Sequence, residues 1–302
     1  MVDKRMPNWL LFAIPSFIWG TTWLVIKYQL GSVRPEVSVA YRFGSASLVL
    51  FAWCLWRRVS LRFDRRAHAA FLLLGFLQYT LNYVLVYLSE RSITSGLLAV
   101  IFVLIVAWNV LGERVLFGKP LPLPLLAGAA LGILGVTLMF WPEVRDYHAG
   151  AGVSGLLLAV LATLAASAAS LWAQRVYARG SAVVPSTAWA MLYGTLLVAA
   201  YCQIRGLPFA LDVSPAYLGS LAYLALFGSV IAFISYLTLL KRVGAARAGY
   251  TAAVIPVLAM LVSTVFEGYR WSWLSSVGMT LALTGSLWTL REKQLATRPV
   301  TR

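Results

Sequence analysis

The sequence predicts an all-α integral membrane protein of ten transmembrane helices, arranged as two inverted repeats of five helices. Of its 302 residues, 61% are hydrophobic and 12% are charged, which lies far from the composition of soluble domains. Apolar stretches recur along the chain, each long enough to cross roughly 30 Å of hydrocarbon as a helix. Five stretches lie on each side of a connection rich in charge and glycine at residues 143–152.

The apolar stretches are interpreted as helices, because the strands of a membrane barrel would alternate over about ten residues instead. The first stretch follows Lys4 and Arg5, as a signal peptide would, but it is too long and lacks a clear cleavage site. The predicted spans cover residues 10–28, 37–56, 68–88, 94–111, 123–141, 155–174, 187–202, 216–240, 248–266 and 271–290.

The basic residues predict the orientation of the chain. With a cytoplasmic N-terminus, 18 Lys and Arg residues fall in inside segments and 6 in outside segments, while Arg42 lies within the second span. The positive-inside rule therefore places both termini in the cytoplasm. Because the basic residues are spread over short loops, the net charge of +15 indicates topology and no nucleic-acid partner.

A weak internal repeat predicts two domains, residues 1–148 and residues 149–302. Glu113 is followed by two glycines seven residues apart, and Glu267 is followed by another such pair, Gly278 and Gly285. Five spans per half is an odd number, so the second half enters the membrane from the opposite side, as in many secondary transporters. Glycines in spans five and ten also predict close packing against a neighbouring helix.

Several segments resemble the EamA-type branch of the drug/metabolite transporter superfamily over essentially the whole chain. They are Trp19-Gly20-Thr21-Thr22, Arg42 after Pro35, Gly112-Glu113-Arg114, and Gly249 through Pro256 to Glu267. The resemblance implies an exporter of small metabolites in the bacterial inner membrane, and within the branch it extends to YddG-type exporters of amino acids, aromatic ones included. It further implies a central cavity lined by helices 1, 3, 4, 6, 8 and 9. Phe102 replaces a proline that the family often has, which leaves open whether helix four lines this cavity.

The third span carries the main candidate for substrate binding. Tyr79, Asn82 and Tyr83 share one face of an α-helix at mid-depth, with Gln78 one turn below Asn82. Such a face combines apolar area with a few polar groups, as a ligand pocket requires. The alternative is hydrogen bonding between helices without any ligand.

The other candidates lie in spans one, six, eight and nine, and each has packing between helices as its alternative. Trp19, Gly20, Ser167, Phe227 and Tyr250 are predicted to contact substrate.

Two intrahelical prolines, Pro15 and Pro256, are predicted hinges or gating elements, because proline removes a backbone hydrogen bond. Arg42 is a predicted gating residue, or else its long side chain reaches the membrane interface from within the second span.

The acidic residues bear on the transport mechanism. Every glutamate lies at or beyond the end of a predicted span, whereas proton-coupled carriers usually hold a buried acid. The sequence therefore favours facilitated transport by alternating access. No metal, nucleotide or nucleophile motif occurs, so no cofactor and no enzymatic activity are expected. A small-molecule substrate, membrane lipids and a functional monomer are expected instead. The alternatives are a related carrier of nucleotide sugars or cationic drugs, and a membrane-embedded enzyme.

Overall fold

The computed structural model describes residues 6–118, 123–146, 151–249 and 251–295, and these residues contain helices and no strand. The helices of the first half are α1 (Asn8–Lys27), α2 (Pro35–Trp56), α3 (Arg65–Ser89), α4 (Ser95–Phe117) and α5 (Leu123–Asp146). Those of the second half are α6 (Ala151–Ala178), α7 (Val183–Ile204), α8 (Pro215–Val243), α9 (Thr251–Phe266) and α10 (Trp273–Leu295). A short helical turn, Ala245–Ala248, precedes α9.

Length and apolarity suit several of these helices to membrane crossing. Within the described residues, seven helices are long and apolar enough to span a bilayer: α1 to α4, α7, α8, and the Val153–Ala178 part of α6. Shorter apolar segments, Ala130–Met139 and Val254–Phe266, lie in α5 and α9. The all-helical class is confirmed, while the number of ten spans stays a prediction.

Local sequence signals set the ends of several helices. At the start of α3, the Asp64 carboxylate accepts a hydrogen bond from the Ala67 amide at 2.8 Å. At the start of α8, Ser214 caps the amide of Tyr217 and Pro215 occupies the first helical position. Helix α4 ends at Gly118, whose φ of +65° suits a residue without a side chain.

Helices α3 and α8, the third helix of each half, contain π-helical segments of eight residues. These are Gly75–Asn82 in α3 and Leu224–Ile231 in α8. The α3 segment packs closely on α7, because a Cβ added to Gly75 would lie 2.4 Å from the Ala190 carbonyl oxygen. The α8 segment packs on α1 and α2, where a Cβ added to Gly228 would lie 2.8 Å from Cγ2 of Thr22 and 3.1 Å from Nη2 of Arg42. Such irregular turns often occur at functional sites.

Corresponding helices of the two halves pack on corresponding partners. Helix α1 packs on α9 and α8 of the second half, and its counterpart α6 packs on α4 and α3 of the first half. Helices α2 and α7 pack on each other, as do α5 and α10.

Glycines bring α5 and α10 into backbone contact, and this pairing identifies the neighbour that the sequence left unnamed. A Cβ added to Gly135 would lie 2.4 Å from the Gly278 carbonyl oxygen, and one added to Gly285 would lie 2.4 Å from the Gly128 carbonyl oxygen. No larger residue fits at these positions without separating the two helices.

Helix α4 is interrupted without a proline. Its regular turns stop at Ile101 and resume at Leu104. Around this break the amide of Val103 bonds the Val100 carbonyl at 3.0 Å, and the amide of Ile105 bonds the Phe102 carbonyl at 3.1 Å. These bonds between residues three apart are tighter than α-helical ones, and Phe102, which lies at the break, borders the centre of the bundle.

Candidate functional site

A central cavity lies between α1, α2, α3, α4, α6, α8 and α9. Its empty space, with the opening included, amounts to about 760 Å³. The lining residues of α1 to α4 are Trp19, Thr22, Trp23, Ile26, Arg42, Gln78, Asn82, Tyr83, Val86, Ala99, Phe102 and Ile105. Those of the second half are Ala166, Ser170, Phe233, Tyr236, Gly249, Thr251, Ala252 and Ile255. The lining includes every helix that the resemblance implied, α4 among them, and adds α2.

Aromatic rings form much of the cavity wall. The ring of Trp19 lies 5.1 Å from Phe233 and 5.3 Å from Tyr236, and its indole N–H donates to the Gly228 carbonyl at 3.1 Å. On the α4 side, the rings of Trp23 and Phe102 lie 4.9 Å apart. These contacts fix the rings, so the cavity has a preformed apolar wall.

Amide groups of α3 supply a polar patch. The Asn82 side-chain amide donates to the Ala162 carbonyl of α6 at 2.8 Å and accepts from Gln78 at 3.3 Å. One N–H and one oxygen lone pair of Asn82 have further capacity. Asn82 therefore joins two helices and also borders the cavity, so the packing and ligand interpretations of this residue are compatible.

Tyr79 and Asn82, which the sequence places on one face of α3, both lie in the π-helical segment but take different positions. Asn82 and Tyr83 line the cavity with Gln78, as their predicted face requires. Tyr79 is not among the lining residues, because its ring is buried between Phe43 and Phe233, at 5.0 and 5.2 Å. The ideal α-helical spacing behind the Tyr79 prediction does not hold in a π-helix.

The other predicted contacts of the substrate take different positions. Trp19 lines the cavity, whereas Gly20 is buried where an added Cβ would lie 2.7 Å from the Leu258 Cβ of α9. Ser167 lies buried next to the cavity and donates to Asn109 at 2.7 Å. Phe227 is 45% exposed and stacks on Tyr223, because its part of α8 faces away from the bundle centre. Tyr250 lies outside the described residues.

The predicted hinge prolines lie inside helices. Pro15 is buried in α1, and Pro256 lies within α9. Their roles in gating stay predictions.

Arg42 does not reach the membrane interface, so that alternative is wrong. Its side chain is 0% exposed, and the guanidinium is bound inside the bundle. Nε donates to the Ser229 hydroxyl of α8 at 2.9 Å, and Nη1 contacts the Tyr87 hydroxyl of α3 at 3.4 Å. The guanidinium carbon lies 4.7 Å from the centre of the Tyr83 ring, a cation–π contact.

A polar cluster, which sequence reasoning missed, joins helix ends on the side where α1 ends. We call it the Lys27 cluster, and its residues are Lys27, Glu90, Ser95, Ser263 and Glu267. The Lys27 ammonium donates to the carbonyls of Glu90 at 2.8 Å and Ile93 at 3.0 Å, and it lies 3.9 Å from the Glu267 carboxylate. The hydroxyls of Ser95 and Ser263 donate to that same carboxylate.

Glu90 is the buried acid of the Lys27 cluster. It is 1% exposed, and neither carboxyl oxygen has a hydrogen-bond partner within the described part of the chain. Burial raises the pKa of this carboxyl well above its ordinary value of 4.5, and Glu267 reinforces the rise while Lys27 and Arg42 oppose it. The only sequence signal was the position of Glu90 directly after a span, where exposure to water is usually expected.

Comparisons with known proteins give the family. The sequence profile of the EamA-like transporter family matches residues 7–141 and 153–291. An inner membrane transporter of Escherichia coli K12, YedA, described as uncharacterized, is 29% identical over 265 residues, which cover 85% of this chain and 82% of that protein. An uncharacterized transporter of Archaeoglobus fulgidus is 24% identical over 298 residues, covering 95% of this chain and 100% of that protein.

Two further similarities agree with this result. Protein PagO of Salmonella typhimurium is 23% identical over 297 residues, covering 97% of this chain and 94% of that protein. A protein crystal structure matches with a TM-score of 0.71 at 21% identity, covering 96% of this chain and 99% of that chain, and shows the fold alone. The chain therefore belongs to the EamA-like transporter family, within the drug/metabolite transporter superfamily, and is a multi-pass membrane protein of the transporter class.

Proposed function

We propose that this transporter exports small metabolites, above all amino acids and aromatic ones among them, by facilitated alternating access through the central cavity. The observation that carries the proposal is the composition of the cavity wall. Rings of Trp19, Phe102 and Phe233 offer apolar area to a side chain, while the amide of Asn82 offers hydrogen bonds to a polar group.

We also propose the architecture that such transport requires. Ten spans form two inverted halves, residues 1–148 and 149–302, with both termini in the cytoplasm and the protein functioning as a monomer. The exchange of helix pairs between the halves supports the repeat, and so does the match of the family profile on both sides of residue 152. The printed name of YedA supports a location in the bacterial inner membrane.

The Lys27 cluster supports the interpretation that the cavity is closed on the side where α1 ends. It ties the end of α1 to the loop before α4, to α4 and to α9, so elements of both halves meet there. With a cytoplasmic N-terminus, this closed side faces outward. Alternating access requires these contacts to break when the opposite side closes.

Facilitated transport is supported by the charges of the cavity. Within the described residues, no carboxylate lines the cavity, and the buried Glu90 lies in the Lys27 cluster instead. Arg42 is the one basic residue of the described lining, whereas a nucleotide sugar carries two phosphates. The cavity charge therefore favours a small solute over the nucleotide sugar alternative.

Counterflow into liposomes tests the proposal. Liposomes that contain the purified protein and are loaded with unlabelled phenylalanine should accumulate labelled phenylalanine without any pH gradient. Asn82→Leu, which keeps the branched shape and the number of side-chain heavy atoms, should lower the initial rate about two- to twelvefold, because a hydrogen bond contributes roughly 0.5–1.5 kcal/mol. Thr280→Val is the matched control, since Thr280 is exposed on α10 and bonds only its own helix.

Three outcomes contradict the proposal in different ways. If well-folded protein exchanges no amino acid, the substrate class is wrong. If exchange needs a pH gradient, the transport is coupled. If Asn82→Leu behaves like Thr280→Val, the Asn82 amide does not contact the solute.

A further inference from the structure

We propose that Arg42 binds the carboxylate of the transported solute, so that a carboxylate is what the carrier requires of its substrates. The inference rests on the proposed transport function and names the substrate class for the same cavity. It differs from the gating role that the sequence suggests for Arg42, because it assigns to this residue direct contact with the solute.

The first step is the place of the guanidinium. Arg42 lies on α2, borders the central cavity and is fully buried between three helices. A positive charge is expensive at such a depth, and charged residues inside membrane bundles are normally paired or lie next to a pathway. Arg42 therefore needs a compensating group.

The second step is the set of partners that Arg42 has. Its guanidinium carries five N–H donors. One bonds the Ser229 hydroxyl and one contacts the Tyr87 hydroxyl, while Nη2 has no hydrogen-bond partner within the described part of the chain. Both partners are neutral, and no described carboxylate forms a salt bridge with Arg42. The site thus lacks a negative charge.

Glu90 does not supply that charge. It acts on Arg42 only through space, with no ion pair between them. Its own burial, with both oxygens unpartnered, favours the neutral acid. The Tyr87 hydroxyl, which lies between Arg42 and Gln29, donates its proton to the Gln29 side-chain oxygen at 2.8 Å and therefore offers Arg42 only a lone pair. A solute carboxylate is the group that would balance Arg42.

The third step is the chemistry around the guanidinium. A carboxylate matches the planar N–H pairs of arginine and can accept two bonds at once. The Tyr83 ring covers the guanidinium at 4.7 Å and also lines the cavity. The solute carboxylate reaches Arg42 when this ring turns aside, and the apolar remainder of the solute then lies along the Trp19 and Phe233 rings.

Calorimetric binding of benzoate and benzamide to the full-length protein in detergent tests the inference. The two probes have nearly the same shape, but only benzoate carries a negative charge. Wild-type protein should bind benzoate at least about tenfold more tightly than benzamide, as expected for a charge-assisted pair. Arg42→Met should lose this preference and Arg42→Lys should keep part of it. Arg57→Met should keep all of it, because Arg57 lies beyond the end of α2 against Trp56.

The results separate this inference from the proposed function. Equal binding of the two probes by wild-type protein overturns the inference and needs no variant that must fold. Retention of the preference in folded Arg42→Met overturns it as well. If benzoate is preferred through Arg42 but phenylalanine is not exchanged in liposomes, the proposed amino acid transport fails and the carboxylate site stands. If phenylalanine is exchanged without preference for benzoate, the inference alone fails.

Discussion

The contact between α5 and α10 makes a sharp prediction about stability. In Gly135→Ala, the added Cβ would lie 2.4 Å from both the Gly278 carbonyl oxygen and the Ala282 amide nitrogen. Ordinary van der Waals contact needs about 3.5 Å, so the helices must separate by roughly 1 Å. Because both opposing atoms belong to the backbone, no side chain can rotate to make room.

The expected size of the effect combines two opposing terms. Overpacking costs about 1–3 kcal/mol, whereas replacing glycine by alanine within a helix gains about 0.8–1 kcal/mol of helix propensity. Gly135→Ala should therefore lower the free energy of unfolding by up to about 2 kcal/mol. Gly132→Ala is the matched control on the same helix, because its Cβ would meet no atom of the described residues within 4 Å. The control should be neutral or slightly stabilising.

Unfolding in mixed micelles of increasing sodium dodecyl sulfate, followed by circular dichroism, measures both variants against wild type. The expected order of stability is Gly132→Ala at or above wild type and Gly135→Ala below it. Equal stability of the two variants would refute the reasoning, since it would mean that α5 and α10 do not approach each other through Gly135.

Three further predictions concern the Lys27 cluster and the cavity. Glu90→Gln should flatten the pH dependence of stability. Burial raises the folded pKa of Glu90 above 4.5, and Lys27, Glu267 and Arg42 are the charged groups that act on it. The wild-type Glu90 carboxyl therefore stabilises the protein most in acid. That contribution is lost as pH rises through the folded pKa, and unfolding at a series of pH values would contradict the idea if both proteins gave parallel curves. Lys27→Met should lower the unfolding free energy by about 1–3 kcal/mol because two partly buried carbonyls lose a charged donor, whereas Lys241→Met, at an exposed lysine, should change it less. An unchanged midpoint in the detergent titration would count against the Lys27 contacts. Phe102→Ala should raise counterflow of tryptophan relative to alanine because it widens the cavity opposite Trp23, and an unchanged ratio would show that Phe102 does not contact the solute.

The helical class and the close packing of α5 and α10 on a neighbouring helix were predictable because both depend on local signals, whereas the pairing of the two with each other was not. Apolar length identifies a membrane helix, and glycines seven residues apart mark a surface that another backbone can approach. The family resemblance also predicted most of the cavity-lining helices. At the level of residues, Trp19, Asn82 and Tyr83 border the cavity, while their contact with substrate stays a prediction.

The remaining features depend on contacts between distant parts of the chain. Tyr79 is buried within a π-helical segment that packs closely on α7 through Gly75, and this contact has no pattern within α3 itself. The Lys27 cluster joins residues from α1, α4 and α9, and each looks like an ordinary residue of a helix end when considered alone. For Arg42, the sequence left a gating role and reach to the membrane interface as alternatives, because its partners, Ser229 and Tyr87, belong to other helices.

The π-helical segment of α3 makes the number of its residues as important as their identity. A π turn holds about one residue more than an α turn, so replacing Gly75–Asn82 by regular α-helix of the same length would turn the helix before it by about 100° relative to Tyr83. Gly75 would then turn away from Ala190 of α7, although no residue of that contact had been substituted. The length of this segment therefore bears on the packing of α3 against α7 as directly as the side chains do.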